Sequence, residues 1–236
     1  MSKGINIIAV TIFFSVGAFA QDKFVDSLVN RIKTHPQIDS EHIITLHRIS
    51  YRLSEKDIKR SFAYYEKVAA FSDSLNFTYG KALAQINLGI LLSNSANYEA
   101  SNNAYFKAID YAEACGAPRL KAVSLNNAGE NFKILKDFEK CRQYTREAIA
   151  INDQLGAWRG VAINYELLYE CDLEEKLYRN AKKNLVTGMP FALKDKESYI
   201  LSQFYLGFGK LQAINNRPDS AAFYFTKALE QAKLRQ

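Results

Sequence analysis

Apolar and small residues fall along this chain at helical spacing, and the whole pattern repeats every 40 residues. The clearest unit is Asn87 to Asp110, NLGILLSNSANYEASNNAYFKAID, which returns as Asn127 to Ala150, NAGENFKILKDFEKCRQYTREAIA. Gly89 becomes Gly129, Tyr98 becomes Phe138, Ser101 becomes Cys141 and Ala108 becomes Ala148. Further forward, the same register gives Gly209, Ala221 and Ala228, with a weaker copy between at Tyr169, Tyr178, Ala181 and Gly188. One step back it gives Ile49, Ile58, Ser61 and Val68. A period of this length predicts stacked helical units, each burying its apolar face against the next.

In this register, ten helices in five pairs are expected at about 41–54 and 57–75, 79–94 and 97–114, 119–134 and 137–154, 159–174 and 177–188, and 197–214 and 218–234. The repeats run at about 41–78, 79–118, 119–158, 159–196 and 197–236. Asp57, Asn97 and Asp137 stand just before second helices, where a short polar side chain accepts orphan N–H groups. Pro218 takes an early helical place, where its missing N–H does no harm. Gly80, Gly116-Ala117-Pro118 and Gly156 mark turns between pairs. Before the repeats, residues 21–40 form a leader whose Phe24, Val25, Leu28 and Ile32 make an amphipathic capping helix ended by Pro36.

The recurring small residues have a packing reason. A glycine on the first helix (Gly89, Gly129, Gly209) admits the second helix, and Ala108, Ala148 and Ala228 admit the next repeat. Tyr98, Phe138, Tyr178, Tyr105 and Phe225 fill the space between. In the fourth repeat, Tyr169 replaces the glycine and Gly188-Met189-Pro190 is expected to end the second helix early, with a loop to Glu197. A sharper reading makes that segment a hinge.

These residues carry a resemblance. The order Gly–hydrophobic, then Asp/Asn-[Tyr/Phe]-x-x-[Ala/Ser], then aromatic-x-x-Ala resembles the tetratricopeptide repeat over residues 41–234, in a long, 40-residue form and an exported bacterial setting. The period also fits HEAT-type repeats, but the in-register Gly and Ala positions favour the tetratricopeptide reading. The resemblance implies an all-α, right-handed α-solenoid of five antiparallel helix pairs.

Composition narrows the function. The net charge of +6 is spread over the chain with no basic tract, which argues against nucleic acid as partner. Residues 1–20, with Lys3, the apolar run Ile5–Phe14 and Ala18-Phe19-Ala20, read as a secretory signal peptide, which implies a periplasmic protein. That run is shorter than a membrane span, and no other such run follows, so no span is expected in the mature chain. Cys115, Cys141 and Cys171 lack metal-type spacing; Cys141 is expected as a packed small hydrophobe and a disulfide framework is not expected.

No catalytic constellation, metal site or cofactor motif is present: His42 and His47 are poorly spaced for one face, and Gly80-Lys81 lacks the rest of a phosphate loop. The sequence is therefore read as noncatalytic. What the resemblance implies is binding of a protein or peptide in a groove lined by the first helices. The positions carried over are Ile86, Ile90, Asn126, Glu130, Lys133, Glu166, Glu170, Leu173, Leu206 and Lys210. Glu166 and Glu170 are one turn apart, and with Glu130 they make an acidic strip suited to a basic segment. Asn87 and Asn127 stand near places where some family members clamp a carboxylate, but the basic partners are Ile or Glu here. Tyr165, Tyr169 and Tyr178 are expected as an aromatic cluster filling the glycine-free repeat. The expected function is that of an exported scaffold or adaptor. The alternative is the extracytoplasmic sensory input region of a membrane histidine kinase or transcriptional regulator. The aromatic-rich last helix (Phe223, Tyr224, Phe225) suggests a homodimer through that end.

Overall fold

The computed structural model describes residues 22–194 and 198–233. The expected signal peptide, residues 1–20, lies outside them. Eleven helices make up the described chain: α1 (Lys23–Thr34), α2 (Ser40–Leu53), α3 (Ile58–Ser74), α4 (Thr78–Asn94), α5 (Tyr98–Ala114), α6 (Pro118–Ile134), α7 (Phe138–Gln154), α8 (Trp158–Glu174), α9 (Tyr178–Lys194), α10 (Ser198–Ile214) and α11 (Pro218–Lys233). After α1 they form five antiparallel pairs, an all-α solenoid. No helix among the described residues is long and apolar enough to cross a membrane.

The period has a simple local origin. Each helix from α3 to α10 has 17 residues, and three-residue turns separate the described neighbours, so one half-repeat occupies twenty residues. The middle residue of each described turn from Leu75 onward is left-handed: Asn76, Ala96, Gly116, Lys136, Gly156, Lys176 and Asn216 all have φ between 49° and 63°. That single residue reverses the chain, while the N–H after it returns to a carbonyl of the last helical turn, as in Phe77 to Ser72 at 2.8 Å. Only two of the seven positions are glycine, so glycine spacing alone could not have shown the device. Gly80 is a correction: it lies inside α4, where a Cβ would meet the Phe77 ring at 2.6 Å, and Asn76 makes the turn instead. Second helices start as expected, with Asp57, Asn97 and Asp137 each accepting a backbone N–H at 3.0, 3.4 and 3.1 Å.

Within a pair, the first-helix glycine lets an aromatic ring lie on the backbone. A Cβ at Gly89 would sit 2.6 Å from Tyr105 Cδ1, and one at Gly209 would sit 2.5 Å from Phe225 Cδ1. Between pairs, Ala108 and Ala148 are fully buried. The backbones of successive first helices approach one another, whereas those of second helices stay apart. The stack is therefore curved, with the first helices on the concave side.

The fourth repeat departs from expectation. α9 does not end at Gly188 but runs through Pro190 to Lys194. Pro190 is on the exposed side, and the carbonyl it leaves unbonded belongs to the exposed Val186, where water can satisfy it. Beyond it, fully buried Ala192 and the Phe191 ring on Trp158 hold the last turn in place. Gly188 has a packing role, since a Cβ there would meet Phe204 and Tyr165 at 2.6 Å.

The cysteines are a second correction. Cys141 on α7 and Cys171 on α8, both fully buried, are paired as a disulfide across the junction of repeats three and four. The pair is 30 residues apart, as are Ser101 and Asn131 one repeat earlier, whose side chains bond at 2.8 Å. Equivalent positions thus make the same inter-repeat contact with different chemistry.

Two outcomes follow for stability, read by chemical denaturation. A left-handed residue with a Cβ costs ~1–2 kcal/mol, part of which the flexibility of glycine returns to the unfolded chain. Ala96→Gly and Lys136→Gly are each expected to stabilise by about 0.5–1 kcal/mol, and Gly116→Ala to destabilise by a similar amount. Gly89→Leu should drive Tyr105 off its seat and cost about 1–3 kcal/mol or more.

Candidate functional site on the concave face

Three cavities follow one another along the concave face, and Glu130 on α6 lines all three. One of about 290 Å³ holds Tyr51, Ile90, Tyr105 and Asn127. One of about 720 Å³ holds Asn126, Trp158, Arg159 and Asn164. The third, about 360 Å³, holds Lys133, Glu166, Glu170 and Tyr199. These volumes lie within the range of small-ligand or side-chain pockets.

The carboxylates sit here because α6 and α8 are first helices of adjacent pairs and present the same face at the same height. Glu130 accepts from Asn126 Nδ2 at 3.0 Å. Asn126 in turn accepts from Asn164 at 2.6 Å, and Asn164 accepts from Asn152 at 2.9 Å. This amide relay runs from the buried junction up to the groove and fixes the orientation of Glu130. Gly160 leaves room for it, since a Cβ there would lie 2.6 Å from the Asn152 amide.

The three acids are not equivalent. Glu170 is ion-paired with Lys133, whose side chain is four-fifths covered. Burial pushes the Glu166 carboxyl up to about 7, with the charges of Glu170 and Glu130 adding to it and Lys133 and Lys210 opposing. Burial also raises the Glu130 carboxyl, with Asn126 and Lys133 drawing it back. Glu130 is nevertheless solvent-accessible, so the crowding comes from the groove walls around it. The third cavity therefore sets three crowded carboxylates against Lys133 and Arg159, whereas the 720 Å³ cavity sets Glu130 against Arg119, Arg159 and Lys194.

The remaining expected groove residues are placed unevenly. Ile90 is half-buried and lines the first cavity, whereas Ile86 is only 3% exposed and belongs to the core. Leu173 and Leu206 are partly buried and Lys210 is exposed; all three lie outside the three cavities, although Lys210 is within electrostatic reach of Glu166. Asn87 is 1% exposed and its amide makes no hydrogen bond, while Asn127 lines two of the cavities. The two are thus not a matched pair on the surface. Near Asn87, burial holds His47 down to about 4.

The aromatic cluster is also corrected. Tyr169 is a core residue, Tyr178 is exposed at the start of α9, and Tyr165 stacks on Phe191; no ring contact joins the three among the described residues. The groove's aromatic edge is instead Trp158, stacked with Phe191 at 5.9 Å and covered by the Lys194 ammonium at 4.3 Å. Sequence reasoning missed Trp158 because its partners lie on α9, beyond the expected helix end. The Asn relay was visible in part, since Asn126 and Asn164 are 38 residues apart, close to one period.

No family model matches this sequence, and no curated protein matches it in sequence. Solved structures do match the fold. BtubC (BKLC) from P. vanneervenii is similar with a TM-score of 0.71 at 16% identity, covering 90% of this chain and 88% of that one. Aspartyl phosphate phosphatase F from Bacillus subtilis is similar with a TM-score of 0.67 at 16% identity, over 89% of this chain and 64% of that one. A Podosopora anserina protein of nearly identical TPR-like repeats gives 0.61 at 9% identity, over 82% and 96%. At such identities the likeness establishes architecture: this chain has the fold of a tetratricopeptide-like α-solenoid.

Proposed function

We propose that this protein is a noncatalytic, exported scaffold or adaptor that holds a protein or peptide partner along its concave face. The observation that supports this reading is the run of three cavities through Glu130. A continuous groove of that shape suits an extended segment better than a compact metabolite. Its carboxylates crowd the third cavity, so the partner segment carries a Lys or Arg side chain there. That cation lies between Glu130 and Glu166, the two carboxylates whose pKa is raised, while Glu170 stays with Lys133. Ile90 and the Trp158 edge take apolar side chains on either side. Export rests on the reading of residues 1–20, and a homodimer through the exposed Phe223, Phe225 and Leu229 of α11 is a further part of the proposal.

The reading is tested with arrayed peptides of matched length and varied charge. Lys- or Arg-containing peptides should be retained and acidic ones not, and Glu166→Lys with Glu170→Lys should abolish retention. Unchanged capture by that double variant would sink the assignment. Intact mass and fractionation of the native protein test export: a mature species starting near Gln21 is expected.

A pH dependence follows from Glu166. Its carboxyl is raised in the folded protein to about 7, so it is largely neutral at pH 5.5 and charged at pH 8. A bound cation favours the charged form, so binding releases a proton below about pH 7 and the peptide is held more tightly at pH 8 than at 5.5. The same raised value favours the folded state below the ordinary glutamate range and loses that stabilisation as pH rises through 7. Glu166→Gln should flatten the pH profile of binding, measured by calorimetry in buffers of different ionisation heat.

A further inference from the structure

The outer surface of the stack carries a second cavity, of about 590 Å³, between α7 and α9. The backbones of second helices stay apart in this fold, so each gap between them is either filled by side chains or left open. One repeat earlier, between α5 and α7, it is filled by three rings in contact. Phe106 lies 5.5 Å from Tyr144, and Phe132 lies 5.4 Å from Tyr144. Forty residues further on, the same three positions are Arg146, Asp172 and Asn184, and all three line the cavity. An aromatic plug has been exchanged, position for position, for a cation, a carboxylate and an amide.

The exchange works against stability alone. Asp172 is only 3% exposed, and burial raises its carboxyl against the opposing pull of Arg142. Its charge is held by Arg142 Nη1 at 3.2 Å and by Asn184 Nδ2 at 2.8 Å. Arg142 also pairs with Glu175. A buried ion pair seldom stabilises more than apolar residues of the same volume, and the Phe and Tyr of the preceding junction show that this scaffold accepts them. The two carboxylates here are both engaged by Arg142. Arg146 on α7 and Lys183 on α9 also line the cavity and are exposed, and the charge of Arg146 reaches Asp172. Asn180 adds an amide at the rim, and Tyr165 and Leu168 of α8 line the apolar part.

We propose that this convex cavity binds a compact organic anion, with its phosphoryl or carboxylate group between Arg146 and Lys183. Asp172 and Asn184 act as positioning residues that hold Arg142 in the wall and keep the gap open. The site is separate from the concave groove, so the molecule carries an acidic inner face and an anion-binding outer one. A ligand here bridges α7 and α9, whose backbones stay apart, and so adds a tie between repeats three and four to the disulfide between α7 and α8.

The experiment is calorimetric titration of the full chain at low salt with inorganic phosphate, pyrophosphate and citrate, against sodium chloride at matched ionic strength. Saturable binding is expected for at least one of the three anions, and comparison of the phosphates with citrate identifies the preferred group. Arg146→Gln with Lys183→Gln, both exposed, should weaken it at least about tenfold, the loss expected for one charge-assisted contact. Arg146→Phe with Asp172→Phe and Asn184→Tyr should restore the plug and abolish binding, while Glu166→Gln in the groove should leave it unchanged. No saturation by about 10 mM of any of the three anions would overturn the proposal. So would equal binding by the Arg146→Gln, Lys183→Gln variant, which keeps the test valid even where the plugged variant fails to fold.

Discussion

The structure depends on one constraint, that each half-repeat from α3 to α10 is a seventeen-residue helix and that each described turn from Leu75 onward has a left-handed middle residue. With that length fixed, residues forty apart stand at equivalent places, and residues about thirty apart meet across each junction between repeats. Gly89 under Tyr105, Ser101 against Asn131 and Cys141 against Cys171 are all consequences of it. The turn is loosely specified in sequence, since Asn, Ala and Lys occupy it as well as Gly, although a Cβ there costs ~1–2 kcal/mol. The helix length is what cannot vary, because one residue more would rotate every later side chain by about 100°.

Within that frame the junctions differ in chemistry. The larger apolar clusters lie towards the two ends, around Ile43, Val68 and Ala82 and around Leu185, Ile200 and Phe204, with a smaller one around Cys141, Leu167 and Cys171 in the middle. The middle relies on buried polar bonds. Asn131 donates to Ser101 and Asn102, Asn164 joins Asn152 to Asn126, and Arg142 and Asn184 hold Asp172. Buried polar networks specify geometry more narrowly than apolar contacts, because a displaced partner leaves an unsatisfied group. Both the acidic groove and the convex cavity are built on this narrow-tolerance region.

Much of this architecture was legible in the sequence. The period, the caps at Asp57, Asn97 and Asp137, and the Gly-over-aromatic crossings come from local rules that each repeat obeys independently. What escaped reading depended on neighbours far along the chain. Pro190 looked like a helix end because the hold of Trp158 and Phe204 on the last turn of α9 is tertiary. Gly80 looked like a turn because its packing against Phe77 and Ser72 is invisible without the crossing. Ile86 is in the core rather than the groove because burial within a first helix changes every residue or two, finer than a transferred register resolves. The cysteine pair is the exception, since its thirty-residue separation matches that of Ser101 and Asn131 and register alone could have revealed it.

The disulfide between α7 and α8 has a mechanical consequence. A solenoid bends at its junctions, and a junction held by apolar contact can slide where one held by a covalent bond and an ion pair cannot. Force applied to the two ends is therefore taken up by the outer repeats, which flex as compliant arms about a stiff hub. Curvature at the ends can then change to follow the contour of a long bound chain, while the spacing between Glu130 and Glu166 at the hub stays constant.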